Sequence, residues 1–92
     1  MPFDFDRFFS SRPVVLAPME DVSDAIFRRL CRARGAELCV TEFVLAHALV
    51  GGEDDATRKI ALAPGDGPTA IQIYGADPTL LVAAAAIAER AE

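Results

Sequence analysis

The stretch VVLAPMEDVSD, residues 14–24, decides how the fold of this chain is interpreted. Its first four residues are apolar and begin with two β-branched valines, which is typical of a strand buried on both faces of a parallel sheet. Pro18 ends that strand, and Ser23 is a residue type that commonly caps the start of a helix. The stretch therefore predicts a β-strand that is followed closely by an α-helix.

The helix predicted after Ser23 has one apolar face and a defined end. Its apolar residues recur at helical spacing and lie opposite Arg29 and Arg32. Asp24 falls in the first turn, where the helix dipole stabilises an acid. Gly35 is expected to stop the helix, because glycine readily adopts the left-handed conformation found there. The apolar stripe consists of Ile26, Phe27, Leu30 and Cys31.

The alternation of strand and helix recurs twice in the rest of the chain. LCVTEF, residues 38–43, predicts a second buried strand, and TAIQIYG, residues 69–75, has the β-branched and aromatic content of a third. Asp77 and Pro78 are the residue types preferred at the N-cap and first position of a helix. The remaining predicted segments are a short helix over residues 44–50, a loop over residues 51–68 and a final helix from Pro78 to the chain end.

Strands that alternate with helices predict parallel βαβ units, in an open doubly wound sheet or in a closed (β/α) barrel. In both architectures, ligands bind at the edge of the sheet where the strands end. The first predicted strand ends at Met19 and Glu20, the second at Glu42, and the third contains Gln72. These side chains predict that the functional site lies at this edge.

Each of these side chains also has a purely structural interpretation. Gln72 can be a core glutamine bonded to a neighbouring backbone group, or an amide that pairs with the donor and acceptor edge of a planar ligand. Glu42 can be a solvated carboxylate or the partner of an arginine, and that interpretation is favoured. Met19 can fill a gap in the core or present its polarizable thioether to an aromatic ring system. Glu20 can be an acid at the start of a helix.

Length, charge and cysteine spacing restrict the possible functions. The 92 residues, 52% of them hydrophobic, suit one globular domain with a modest core. The net charge of -5 argues against this chain clamping a nucleic-acid backbone by itself. Cys31 and Cys39 lack the spacing of a metal pair or a disulfide framework, so free thiols and no metal are expected.

No membrane or export signal is evident, and a cytoplasmic chain is expected. The longest apolar run, residues 80–88, is about half of the roughly 20 residues that a membrane span needs. The start of the chain lacks a basic region followed by an apolar core. His47 is expected to be packed or partly exposed rather than catalytic. The basic cluster, expected to be solvated or paired with acids, consists of Arg28, Arg29, Arg32 and Arg34.

Three motifs occur in the chain in a specific order and spacing. They are APMEDVSDAIFRRLC at residues 17–31, ELCVTEFV at residues 37–44 and AIQIYG at residues 70–75, after which DP opens an alanine-rich helix. Together they resemble the start of the tRNA-dihydrouridine synthases, flavoproteins with an FMN-binding TIM (β/α)8 barrel. The resemblance covers residues 13–90 of a single domain. Asp21 stands where that family frequently has glycine.

By that resemblance, the enzyme would use FMN, reduced by NADPH, to reduce the C5–C6 double bond of uridine in tRNA. The turn at Pro18 and Met19 would cradle the flavin, and Glu20 would contribute mainly through its backbone. Gln72 would bind the edge of the isoalloxazine ring, while Glu42 is a candidate substrate contact. The catalytic acid of the family is a cysteine after the fourth strand, which is expected beyond residue 92.

The resemblance also implies that the chain holds only the first three βα units of the barrel. Three of eight units leave open sheet edges, so an N-terminal fragment of a longer enzyme is expected to be marginally stable and catalytically inactive. Open edges also give such a fragment a route to self-association. Two alternatives stay open: another FMN-binding TIM-barrel oxidoreductase, and a non-catalytic α/β interaction module.

Overall fold

The computed structural model describes residues 3–62 and 66–91 of the chain. Short strands alternate with helices over most of this range. In chain order the elements are α1 (Phe5–Ser10), β1 (Val15–Leu16), α2 (Ala25–Ala33), β2 (Leu38–Val40), β3 (Val44–Leu45), α3 (Ala46–Val50), α4 (Asp54–Lys59), β4 (Thr69–Ala70), β5 (Ile73–Tyr74) and α5 (Pro78–Ala91).

The strands form two small parallel sheets. The first sheet has the order β1-β2-β4, so β2 lies in the middle, and Val15 of β1 pairs with Leu38 of β2. The second sheet contains β3 and β5, and Val44 pairs with Ile73. Parallel strands joined through helices confirm the predicted α/β class.

Two of the predicted strands are interrupted. The segment 38–43 is a strand only as far as Val40, and the segment 69–75 is divided into β4 and β5. β4 ends at Ala70 and pairs with β2, whereas β5 begins at Ile73 and pairs with β3. One predicted strand therefore contributes to both sheets, and the residues at the break leave the regular hydrogen-bond ladder.

The helix predicted over residues 44–50 begins two residues later, at Ala46. Val44 and Leu45 are extended and pair with β5, and the backbone N–H of Val44 donates to the Gln72 carbonyl at 2.9 Å. Branched valine fits a paired strand better than a first helical turn. Tertiary pairing therefore overrides the helical pattern at this boundary.

The predicted loop over residues 51–68 contains the short helix α4. Two acids lie in the first turn of this helix and two basic residues lie in its last turn, the order that the helix dipole favours. The prediction of a continuous loop was therefore wrong. The charge order favours a helix, whereas the glycines before and after this segment favour a loop. Residues 63–65 of the predicted loop lie outside the described residues.

The N-cap of α2 is Asp24 rather than Ser23. The Asp24 carboxylate accepts the backbone N–H of Phe27 at 2.8 Å. The Ser23 hydroxyl is buried, where it accepts the N–H of Met19 at 2.9 Å and contacts the Met19 carbonyl at 3.1 Å. The helix ends before Gly35, which has φ +113°, as the sequence predicted.

Part of the apolar stripe of α2 and the strand beside it are exposed, whereas Phe27 and Cys31 of the stripe are half-buried. Ile26 is 70% exposed and Leu30 is 62% exposed, whereas Arg28 of the same helix is only 5% exposed. Val14 and Val15 are also exposed, so the prediction of a first strand buried on both faces is wrong. The physical reason is that strand side chains point to the faces of the sheet, and among the described residues β1 contacts mainly β2 and has no helix packed extensively over its faces.

The core lies around α3, α4 and α5. Leu49 and Ala84 are almost fully buried there, and partly buried side chains of α5 pack against them. The buried cluster consists of Val44, Ala46, Ala48, Leu49, Ala56, Ile60 and Ala84.

The final helix, α5, begins as the sequence predicted. Asp77 caps it by accepting the Thr79 N–H at 2.9 Å. Glu92, at the predicted helix end, lies outside the described residues. Across the described ranges, no helix combines the length and apolar content needed to cross a membrane.

Candidate functional site

The residues predicted as a site follow the ends of three neighbouring parallel strands. Met19 comes after β1, Glu42 after β2 and Gln72 after β4. Because neighbouring strands lie about 4.8 Å apart, the outer strands β1 and β4 are separated by roughly 10 Å. The fold therefore brings these three segments to one edge of the sheet, with the end of β2 in the middle.

The turn between β1 and α2 fixes the backbone of Met19. Its N–H donates to the Ser23 hydroxyl, and its carbonyl accepts the N–H groups of Val22 at 3.0 Å and Ser23 at 2.9 Å. The Met19 side chain is 40% exposed, so it does not fill a gap in the core. Pro18 and Glu20, on either side of it, are exposed as well. The turn thus presents these three residues at the surface on a constrained backbone.

Asp21 gives this turn its shape. Its φ is +62°, a left-handed conformation that aspartate tolerates better than most residues with a side chain. A glycine at this position would adopt the same conformation without strain. Aspartate stands at position 21, where the resembling family frequently has glycine, and the turn at this position is nevertheless left-handed.

Glu42 contacts this turn across the sheet edge. Its half-buried carboxylate accepts the backbone N–H of Asp21, 21 residues earlier in the chain. The partner expected from sequence was solvent or an arginine, and the structure provides a backbone amide instead. This contact joins the end of β2 to the turn that follows β1.

Gln72 occupies the break between β4 and β5. The sequence predicted an amide among apolar neighbours in a central strand, but Gln72 is exposed, because the strand is interrupted at this position. Its backbone N–H donates to the Thr41 hydroxyl at 3.0 Å, and its carbonyl accepts from Val44. The backbone is therefore fixed on both sides while the side chain is presented to the surface.

A cleft of about 500 Å³ that is lined mainly by charged residues lies beside the turn. Asp21 and Glu42 line one part of it, and charged residues of α2 and α4 line the rest. Pro18, Met19 and Gln72 do not line this cleft. The predicted site residues follow strand ends along one edge of the sheet, but of these residues only Glu42 lines the cleft. Its charged lining residues are Asp21, Asp24, Arg28, Glu42, Asp55, Arg58 and Lys59.

Sequence reasoning missed the roles of two arginines. Arg28 is buried and donates to the Ser23 carbonyl at 3.0 Å, and Arg32 donates to the Pro68 carbonyl and to the Thr69 hydroxyl at 2.7 Å. Both had been predicted as solvated or paired with acids, which is wrong for Arg28. Their separation of four residues places them on one face of the helix, and this spacing was the available signal.

The cysteines and the histidine lie outside the strand-end site. Cys39 is buried within β2, where burial raises the pKa of its thiol, and Cys31 is half-buried on α2. Both thiols are free, as predicted. His47 is exposed on α3. Among the residues that the structure describes, no three His, Cys, Asp or Glu side chains form a group that could hold a metal ion.

Comparison with known proteins identifies the family. The family model described as Dihydrouridine synthase (Dus) matches residues 15–92. The tRNA-dihydrouridine(20/20a) synthase of Xanthomonas axonopodis pv. citri is 42% identical over 87 residues, which are 91% of this chain and 25% of that protein. The tRNA-dihydrouridine synthase B of Shewanella oneidensis is 36% identical over 72 residues, which are 78% of this chain and 22% of that protein.

A third relative, the probable tRNA-dihydrouridine synthase of Rickettsia prowazekii, is 35% identical over 80 residues, 86% of this chain and 24% of that protein. The chain spans about a quarter of the length of the curated relatives it matches. No solved structure gives a significant match. The family model covers all three motifs identified in the sequence and the strand ends that carry the candidate site. The resemblance is thereby confirmed, and the chain belongs to the dihydrouridine synthase family.

Proposed function

We propose that this chain is the N-terminal portion of a tRNA-dihydrouridine synthase, an FMN-dependent oxidoreductase that reduces the C5–C6 double bond of uridine in tRNA with NADPH. Three relatives carry dihydrouridine synthase names, and the chain covers between 22% and 25% of each. Their length supports an activity distributed over a longer polypeptide. Its place of action would be the cytoplasm, where tRNA is modified.

The observation that carries this proposal is the presentation of Met19 and Gln72 at one edge of a parallel sheet. An exposed thioether follows one outer strand, and an exposed amide follows the other. A flavin has a flat aromatic body and a pyrimidine edge with alternating hydrogen-bond donors and acceptors. A polarizable thioether suits the ring face, and an amide supplies both a donor and an acceptor for the edge. The residues present therefore fit FMN.

Each residue of the site would have a separate binding task. Met19 would contact the ring, while Pro18 and the backbone of Glu20 would shape the turn beneath it. Gln72 would fix the orientation of the ring through its amide. When bound, FMN would supply hydride transfer to the uracil ring, and the protein residues would hold the cofactor in register with the substrate. The carboxylate of Glu42 already accepts a backbone N–H of the protein. We therefore propose a structural role for Glu42 in preference to substrate contact.

We propose that the isolated chain binds FMN weakly and does not reduce uridine. Cys31 lies on α2 and Cys39 lies inside β2, so neither stands at the strand ends where a proton donor to the substrate is needed. The exposed apolar residues of β1 and α2 support a role for both elements in packing against other segments of the barrel in the longer enzyme. The proton donor and further phosphate contacts would come from other segments of the enzyme.

Reconstitution tests this proposal. The chain is mixed with the Xanthomonas synthase from which the segment matching this chain has been deleted, and FMN, NADPH and unmodified tRNA are added. We expect dihydrouridine to form in the mixture and in neither component alone. Failure of the mixture to retain flavin, or reduction of uridine by the chain alone, would contradict the proposal.

Matched variants assign the effect to the site. Gln72→Leu removes the amide and is expected to weaken FMN binding in the reconstituted mixture by about tenfold, the effect of one hydrogen bond of average to high strength. His47→Gln, on the exposed face of α3, is the control and is expected to bind FMN as the parent chain does. Equal affinity of both variants would remove Gln72 from the site.

A non-catalytic interaction module is the second candidate. The exposed Ile26 and Leu30 on α2 favour it, because an apolar stripe of this kind commonly binds a partner. Sedimentation of the chain with and without FMN distinguishes the two candidates. Self-association that flavin does not change, together with a failed reconstitution, would favour the interaction module.

A further inference from the structure

We infer that Thr41 and Glu42, the two residues that follow β2, are positioning residues that hold the turn after β1 and the break after β4 in one arrangement. This inference rests on the proposed function for its purpose, since the two segments held are those that would bind FMN. The contacts themselves are independent of any ligand. Thr41 and Glu42 are called the central pair below.

Thr41 acts on the side of β4. It is 1% exposed, and its hydroxyl accepts the Gln72 N–H at 3.0 Å. Its own N–H donates to the Ala70 carbonyl at 2.8 Å. A side-chain oxygen therefore replaces the missing ladder partner at the break, and Thr41 contacts the chain on both sides of Ile71. This arrangement fixes the backbone from which the Gln72 side chain projects.

Glu42 acts on the side of β1. Its carboxylate accepts the N–H of Asp21, the residue that adopts the left-handed conformation. A charged acceptor makes a stronger hydrogen bond than a neutral one, and it offsets the cost of that conformation for a residue with a side chain. Since the Met19 carbonyl accepts from Val22, the residue after Asp21, fixing Asp21 also fixes the Met19 turn.

The central position of β2 explains why adjacent residues serve both segments. β2 pairs with β1 on one side and with β4 on the other, so the residues that follow it lie between the extensions of the two outer strands. A change at Thr41 should therefore loosen Gln72, and a change at Glu42 should loosen Asp21. The central pair thus sets the spacing between the thioether turn and the amide.

Amide hydrogen exchange of the isotopically labelled 92-residue chain tests the inference. Thr41→Val keeps the shape and removes the acceptor, and it is expected to raise the exchange rate of the Gln72 amide about 2- to 13-fold. Glu42→Ala is expected to raise the rate at the Asp21 amide by at least as much. Each variant controls for the other, because general destabilisation would raise both rates equally.

Conservative variants separate positioning from a loss of packing. Thr41→Ser and Glu42→Gln each retain an acceptor oxygen, and their exchange rates should return to within about twofold of the parent chain, well below the loss of a hydrogen bond. Unchanged exchange at Gln72 in Thr41→Val, or at Asp21 in Glu42→Ala, would overturn the inference. Equal acceleration at both amides in either variant would overturn it as well.

Flavin affinity of the same variants, measured by quenching of FMN fluorescence in the reconstituted mixture, tests the purpose of the central pair. We expect Thr41→Val and Glu42→Ala each to weaken FMN binding about tenfold, with recovery in Thr41→Ser and Glu42→Gln. If the exchange results hold but no protein binds FMN, the proposed function fails and the positioning role stands. If FMN binds all variants equally, the proposed function stands and the role of the pair in flavin binding fails.

Discussion

The region built on α3, α4 and α5 buries its apolar side chains, whereas the region built on β1 and α2 exposes them. Leu49 of α3 is 3% exposed, and Leu30 of α2 is 62% exposed. The two residues have the same side chain and both occupy helices, so residue type does not explain the difference. What differs is the number of neighbouring elements, which surround α3 but leave one side of β1 and one face of α2 uncovered. Burial in this chain is therefore decided by topology.

The largest effect should come from truncating the same side chain in the two regions. Leu49→Ala is expected to lower the free energy of unfolding by about 2–4 kcal/mol, because it removes buried methyl groups and leaves a cavity. Leu30→Ala is the matched control and should change stability by less than about 0.5 kcal/mol. Urea denaturation followed by circular dichroism measures both. Equal losses would show that α2 is covered in solution.

A smaller effect is expected at Arg28, the buried arginine of α2. Arg28 is 5% exposed and donates to the Ser23 carbonyl, so Arg28→Met should cost about 1–3 kcal/mol by removing the partner of a buried acceptor. Arg29→Met, at an exposed position of the same helix, should be nearly neutral. If thermal denaturation gives the opposite order, the orientation of α2 described above is wrong.

Helix caps should have similar effects in both regions, because a cap depends on local geometry. Asp24→Ala and Asp77→Ala each remove a carboxylate that accepts an N–H in the first turn, at 2.8 Å and 2.9 Å respectively. Each is expected to cost about 1 kcal/mol, and the asparagine variants should retain most of that stability. A loss at Asp77 alone would indicate that α2 is frayed in solution.

The smallest effect concerns Cys39 and appears only at alkaline pH. Burial raises the pKa of its thiol above the ordinary value of 9.0, so the folded chain holds this proton more tightly than the unfolded chain. The associated stability is complete below pH 9 and is lost as the pH rises through the raised pKa. Cys39→Ala should flatten the decline in stability above pH 9 that urea denaturation of the parent chain shows. Parallel declines in the variant and the parent chain would exclude Cys39 as the source.

The sequence predicted the α/β class, the parallel strands, the cap at Asp77 and the end of α2 near Gly35. These features depend on local propensity and on the periodicity of apolar residues. The motifs around Met19, Glu42 and Gln72 also predicted the family, because their order and spacing are more specific than any single residue.

The errors arose where tertiary pairing overrides local pattern. Val44 joins a strand rather than a helix, because β5 offers it a partner. Gln72 was expected in a buried strand, and no local signal showed that the strand would break between Ala70 and Ile73. The apolar stripe of α2 was identified correctly as a pattern, but a pattern does not report whether the partner that would cover it lies within the chain.

The most direct test of the central claim is a map of backbone amide shifts during titration of the labelled chain with FMN. If the edge at the ends of β1 and β4 binds flavin, the shifts will change at Met19, Glu20 and Gln72 together, with one common affinity, and His47 will be unaffected. Changes confined to the charged cleft beside α4, or changes at the β1 turn without any at Gln72, would contradict the claim that these strand ends form one flavin site.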